Sequence, residues 1–161
     1  MTLSLVLAVL AADPPACPAE LFRIERSKNA NVVLYETKQA GKGELDAKEP
    51  VTATWLMLAD KGQREPLTFL ERRLAYGFDV AASKEGIEVL LKALATRRIL
   101  VRKSGACHAA VATIDGRDAV LRRIYVRSDE SALMPEVLSI ELFGADERTG
   151  EARYEKLLPA K

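Results

Sequence analysis

A mainly β fold, an antiparallel β-barrel or β-sandwich of about nine strands with one short helix near residues 68–76, is the architecture this sequence predicts. Apolar residues recur at alternate positions in short runs punctuated by turn residues. Asp115-Gly116 joins two such runs as a two-residue hairpin loop. Strands and helices do not alternate, so a parallel α/β sheet is excluded.

At 161 residues the chain is of single-domain size and buries roughly two-thirds of its unfolded surface on folding. The formal net charge is only +1, against the strong basic excess of a dedicated nucleic-acid binder. No apolar run approaches the roughly 20 residues that span a bilayer as a helix. Residues 1–12 (MTLSLVLAVLAA) are uncharged and apolar and end in small residues before Asp13-Pro14-Pro15. That is the layout of a secretory leader, cleaved after Ala11 or Ala12, although no Lys or Arg precedes Leu3. The expected organisation is a signal peptide over 1–12, a linker over 13–20 and a single β domain over 21–161. The expected location is outside the cytoplasm, periplasmic or secreted.

Residues 21–26 alternate, Phe22 and Ile24 against Arg23 and Glu25. Residues 32–37 are apolar on both faces, as an interior strand is. Between them Asn29 and Asn31 suit a turn, because asparagine tolerates left-handed backbone. Residues 38–50 read as a solvated loop, whose Gly41-Lys42-Gly43 lacks the spacing of a phosphate-binding loop. Residues 51–58 form the next interior strand and carry Trp55, the single tryptophan. Thr68 and Glu71 have capping-box spacing. Leu67, Leu70 and Leu74 then share one face and Gly77 supplies the stop, so the helix is expected to pack on the sheet.

Extended runs follow at 76–82, 86–94 (where a helical stripe fits the apolar pattern as well) and 98–103. The Asp115-Gly116 hairpin opposes Val111 to Val120. Residues 128–135 are a polar connection. A strand over 137–143 points Leu138, Ile140 and Leu142 inward, residues 144–150 turn, and 151–158 return as a charged edge strand.

Few residues offer chemistry. His108 is the only histidine, and on a strand it faces away from its neighbour Cys107, which rules out a Cys–His pair built from these two. A metal site is not indicated, since no cluster of ligands has suitable spacing, and no cofactor motif is present. Three readings of Cys17 and Cys107 stay open: a disulfide, a lipid-bearing Cys17, or two free thiols. The basic residues Arg97, Arg98, Arg102, Lys103, Arg122, Arg123 and Arg127 suggest either an anion-attracting strip or a solvated face balanced by carboxylates.

The blocks ERSKNAN (25–31) with Tyr35-Glu36, Glu49-Pro50-Val51 with Trp55, and Leu70-Glu71-Arg72 with Ala75-Tyr76-Gly77 resemble the signature of a bacterial domain-of-unknown-function family, DUF4833. The likeness runs in order from residue 21 to about 77 and more loosely to Tyr154–Leu157. It implies the domain limits and export, and carries no activity, substrate or cofactor.

The residues therefore point to a non-enzymatic β domain that binds a small molecule or an envelope protein. The candidate ligand-binding residues are Arg26, Asn29, Asn31, Tyr35, Trp55 and Tyr76, since arginine and aromatic side chains anchor such sites. The alternative is a hydrolase-type enzyme with an unfamiliar site near His108.

Overall fold

The computed structural model describes residues 17–41, 43–129, 131 and 136–159. The leader expected over 1–12 lies outside the described residues. No helix among them is long and apolar enough to cross a membrane.

The chain begins with β1 (Glu20–Arg26) and β2 (Asn29–Thr37), followed by a small separate hairpin, β3 (Gln39–Gly41) and β4 (Glu44–Leu45). β5 (Val51–Met57) and β6 (Gln63–Pro66) precede α1 (Phe69–Arg73). Next come β7 (Phe78–Ser83), β8 (Gly86–Leu91), β9 (Arg98–Ser104) and β10 (Cys107–Ile114). β11 (Arg117–Asp129), β12 (Glu136–Asp146) and β13 (Ala152–Leu157) complete the sheet. The expected mainly β fold is present, as one large mixed sheet curled into a half-barrel.

The expectation of purely antiparallel pairing is corrected at one place: β1 runs parallel to β11, Ile24 opposite Ile124 and Arg26 opposite Val126. β11 is long enough to serve two neighbours on one edge. Residues 117–120 pair with β10 and 123–126 pair with β1, while β12 follows the opposite edge from Ala119 to Asp129. The sheet thus forks at β11 into two arms. One runs β1-β2-β5-β6 and the other β10-β9-β8-β7.

A bulge makes the fork possible. Leu121 opposes Gly144 and Arg123 opposes Phe143, leaving Arg122 as the extra residue. Inward positions change parity there, from Ala119 and Leu121 to Ile124 and Val126. Arg123 turns outward, over the Phe143 ring at 3.9 Å and toward Glu25 at 3.2 Å. A second bulge, between Ser139 and Val137, displaces Leu138, which is exposed rather than inward as alternation suggested.

The arms meet over an aromatic core. Phe22 stacks on Tyr35 with ring centroids 4.5 Å apart, and Tyr35 meets Phe78 of β7 edge-on at 5.7 Å. The Asp115-Gly116 turn has φ of 51° and 71°, the type I′ geometry, and sets Val111 opposite Val120 as expected.

Other expectations change. Backbone pairing turned part of the predicted 38–50 loop into β3 and β4, and β6 pairs with β5 despite its polar sequence. Residues 144–146 extend β12 instead of turning, because β11 is long enough to pair with them. The run 86–94 divides into β8 and a short 3-10 turn, Lys92–Leu94. In the first hairpin Lys28, not an asparagine, has the positive φ, 61°.

The helix is shorter than expected and turns its apolar face to solvent. Thr68 and Glu71 form the predicted capping box, but Phe69, Leu70 and Leu74 are 76%, 62% and 61% exposed. Only Leu67, before the cap, is buried. One turn cannot place a stripe on the sheet, and the close approach at Gly77 sets its position. A Cβ there would lie 1.6 Å from the Arg72 carbonyl oxygen.

Cys17 and Cys107 are bonded, with Cα atoms 5.3 Å apart. The bridge ties the segment before β1 to the start of β10. Removing it with a C17S/C107S double variant should lower unfolding stability by about 2–5 kcal/mol in urea titrations. At Gly144 an added Cβ would sit 2.6 Å from the Val120 carbonyl oxygen and 2.7 Å from Ile114 Cδ1. Gly144→Ala should therefore cost roughly 1–3 kcal/mol in the same assay, because that backbone cannot yield without breaking the β11–β12 ladder.

Candidate functional site

Phe22, Ile24 and Arg26 occupy alternate positions of β1, so Arg26 continues an inward-facing file beyond the apolar core. Its Nη1 donates to the Tyr76 hydroxyl at 3.4 Å. The Tyr76 ring meets Trp55 edge-on, centroids 5.1 Å apart. Three of the expected site residues, Arg26, Trp55 and Tyr76, are thereby brought together from β1, β5 and the segment leading into β7.

The other three hold structure. Tyr35 is fully buried, and its hydroxyl donates to the Tyr76 carbonyl oxygen at 2.8 Å. Burial, with Tyr76 nearby, holds that phenol far above its ordinary pKa, so it stays a neutral donor. Asn29 Oδ1 accepts from the Asn31 amide at 2.9 Å, and Asn31 Oδ1 accepts from the Ala59 amide at 3.2 Å. The two asparagines brace the hairpin and its neighbouring turn.

Two participants were not evident as site residues in the sequence. Glu71 not only caps α1 but accepts from Trp55 Nε1 at 3.1 Å, while its other oxygen accepts from the Thr68 amide at 2.7 Å. The capping spacing identified Glu71, but the bond to Trp55 depends on the folded approach of α1 to β5. Arg72 lines a cleft of about 350 Å³ with Val51, Ala53, Leu67, Tyr76 and Phe78. The cleft opens where β5 has no β6 partner, since that pairing begins only at Thr54.

Electrostatics single out Arg26. Among the described residues the partly buried arginines are Arg23, Arg26, Arg97, Arg102, Arg123 and Arg153. Arg23 pairs with Glu20, Arg97 with Glu155, Arg102 with Glu147, Arg123 with Glu25, and Arg153 with Asp146. Arg26 alone of these has a neutral hydroxyl as its polar partner. A partly desolvated cation without a counter-charge is costly, and a bound anion removes that cost.

The basic residues considered as a strip are largely neutralised. Besides Arg97, Arg102 and Arg123, Arg98 pairs with Glu88 and Arg127 approaches Glu141 at 3.9 Å. His108 lies across from Lys103, and burial followed by that ammonium lowers its pKa. The Cys107 sulfur beside it is committed to the disulfide. No group of three or more potential metal ligands occurs among the described residues.

The Glu71 carboxylate gives the site a pH signature. Burial raises its pKa, but hydrogen bonds from the Thr68 backbone, the Thr68 hydroxyl and Trp55 outweigh burial and leave it lowered. Its contribution to stability is therefore complete above the ordinary glutamate pKa and lost as pH falls through the lowered folded value. Emission from Trp55, the single tryptophan, should change in that acid range and regain its starting value on return to neutral pH. In Glu71→Gln the transition should vanish; an unchanged transition would separate it from Glu71.

Comparison with protein families matches the DUF4833 model over residues 22–156. No curated protein and no solved structure matches the chain. With the match extending from the inward file of β1 to the last strand, the chain belongs to the DUF4833 family, a domain of unknown function.

Proposed function

We propose that this is an exported, non-enzymatic β domain, periplasmic or secreted, that binds an anionic group of a small molecule or envelope protein at the open mouth of its half-barrel. Arg26 is the charged anchor, Trp55 and Tyr76 supply the aromatic wall, and the cleft beside Tyr76 receives the rest of the ligand. A sandwich-like half-barrel suits this role, because its open side leaves inward-facing residues within reach of solvent.

The observation that carries this reading is the state of Arg26: inward on β1, partly buried, and facing a tyrosine hydroxyl where every comparable arginine faces a carboxylate. An arginine guanidinium offers a planar fork of donors to a carboxylate or phosphate. Glu71 holds Trp55 from outside the cluster and so steadies the aromatic wall. The cleft volume of about 350 Å³ lies within the ordinary range for small-ligand sites. Export rests on the uncharged apolar segment at residues 1–12 and on the family resemblance. A hydrolase site near His108 is the weaker reading, given the neighbouring Lys103 and the bonded Cys107.

Replacing Arg26 by methionine removes the charge and keeps most of the side-chain bulk. Its melting temperature should equal or exceed that of the wild type, because no ion pair is lost. Titration of the wild type with inorganic phosphate, acetate and citrate should change Trp55 emission saturably for at least one probe, and Arg26→Met should abolish that change. A stability loss above about 2 kcal/mol in the variant, or no saturable response in the wild type, would overturn the assignment.

A further inference from the structure

Among the described residues the large sheet ends at β6, β7 and β13, each with one unpaired edge. Two carry the features that discourage strand addition. β6 contains Pro66 and an Arg64 paired with Glu36, and β13 carries Arg153, Glu155 and Lys156. β7, with the sequence FDVAAS, has one charge, no proline and a regular register to β8 from Phe78 to Ser83. Val80 is 42% exposed, whereas Val89, its direct partner on β8, is fully buried. Paired residues share a face, so the core-facing surface of the sheet is left incomplete along the outer side of β7. Phe69, Leu70 and Leu74, all exposed, immediately precede this strand.

The backbone at this edge is identifiable. Lys92 N donates to the Gly77 carbonyl oxygen at 2.9 Å, which assigns position 77 to the β8 side of the ladder. By alternation Asp79, Ala81 and Ser83 bond to β8, while the N–H and C=O groups of Phe78, Val80 and Ala82 point outward.

We propose that β7 pairs antiparallel with β7 of a second copy of this chain, joining two sheets through a two-fold axis at Ala81. An antiparallel ladder must match outward residues to outward residues, which leaves only alternate registers. Centring on Asp79 would oppose that carboxylate to itself, and centring on Ala82 would oppose Asp79 to Glu85 of the copy. Centring on Val80 opposes no like charges but sets Asp79 against Ala81, whereas centring on Ala81 sets Val80 against Ala82 and Asp79 against the Ser83 hydroxyl. Ser83 Oγ accepts from the Glu85 amide at 3.2 Å, so its O–H is available to donate to the Asp79 carboxylate across the axis. The small side chains of Ala81 and Ala82 allow the backbones to approach. The self-complementary register selects a second copy over an unrelated strand; it does not use Arg26, although Phe78 at the start of β7 also lines the cleft beside Tyr76.

Sedimentation velocity on the full chain with its disulfide intact should show a monomer–dimer equilibrium at concentrations up to about 100 µM. In hydrogen exchange, the Val80 and Ala82 amides should become protected as concentration rises, while Ala81 stays protected throughout. Ala82→Pro removes an outward donor without touching the β8 ladder, and Val80→Lys adds a repelling charge at the same edge. Each should weaken dimerisation about tenfold or more, with the circular dichroism spectrum and melting temperature of the monomer retained. A chain that stays monomeric throughout this range, or a dimer unaffected by both substitutions, would overturn the proposal.

Discussion

One strand carries the architecture. β11 gives the same edge to two partners, β10 along its first part and β1 along its second, and a sheet can do this only if its inward face stays inward throughout. Arg122, the extra residue of the bulge, provides that continuity by shifting the inward positions from Leu121 to Ile124. Without the shift, Ile124 and Val126 would face solvent and Arg123 the core. Gly144 on the facing strand completes the arrangement, since a side chain there would strike the backbone of Val120. The two arms can then curl toward one another, and Tyr35 closes the space between them.

The same curvature explains the mouth. Tyr35 lies beneath the site and bonds the backbone of Tyr76, whose ring in turn separates Arg26 from Trp55. Glu71 fastens the outer side of Trp55 to the start of α1. Tyr76, itself buried, is thus held by the buried Tyr35 hydroxyl bond, and Trp55 by the partly buried bond to Glu71. Arg26 is left facing this wall with a neutral partner, in contrast to the paired arginines on the outer faces. Those outer pairs are worth little in stability but offset the long-range field of the basic residues they hold.

Much of this was legible locally. Alternation located the long strands, Asp115-Gly116 specified its hairpin and register, and Thr68 with Glu71 announced the helix start. Three of the six residues expected to bind converge at the mouth. The remainder failed for identifiable reasons. Leu70 and Leu74 have the spacing of a packed stripe, but a helix of one turn held by its cap and by Gly77 has no freedom to rotate them inward. β6 has no apolar pattern because its stability comes from pairing with β5. Asn29 and Asn31 were equally suited to turning and to binding, and only the folded chain shows which backbone amides donate to them.

By itself the sequence determined which segments are extended and where the tightest turn falls, because backbone preference and alternation act over a few residues. Tertiary structure decided the parallel contact of β1 with β11, the joining of Cys17 to Cys107, and the placement of Arg26 against the Tyr76 hydroxyl. Each of these joins residues roughly 50 to 100 positions apart. Such contacts depend on the parity change at a single bulge and on which carboxylates reach which arginines, quantities that no local pattern encodes.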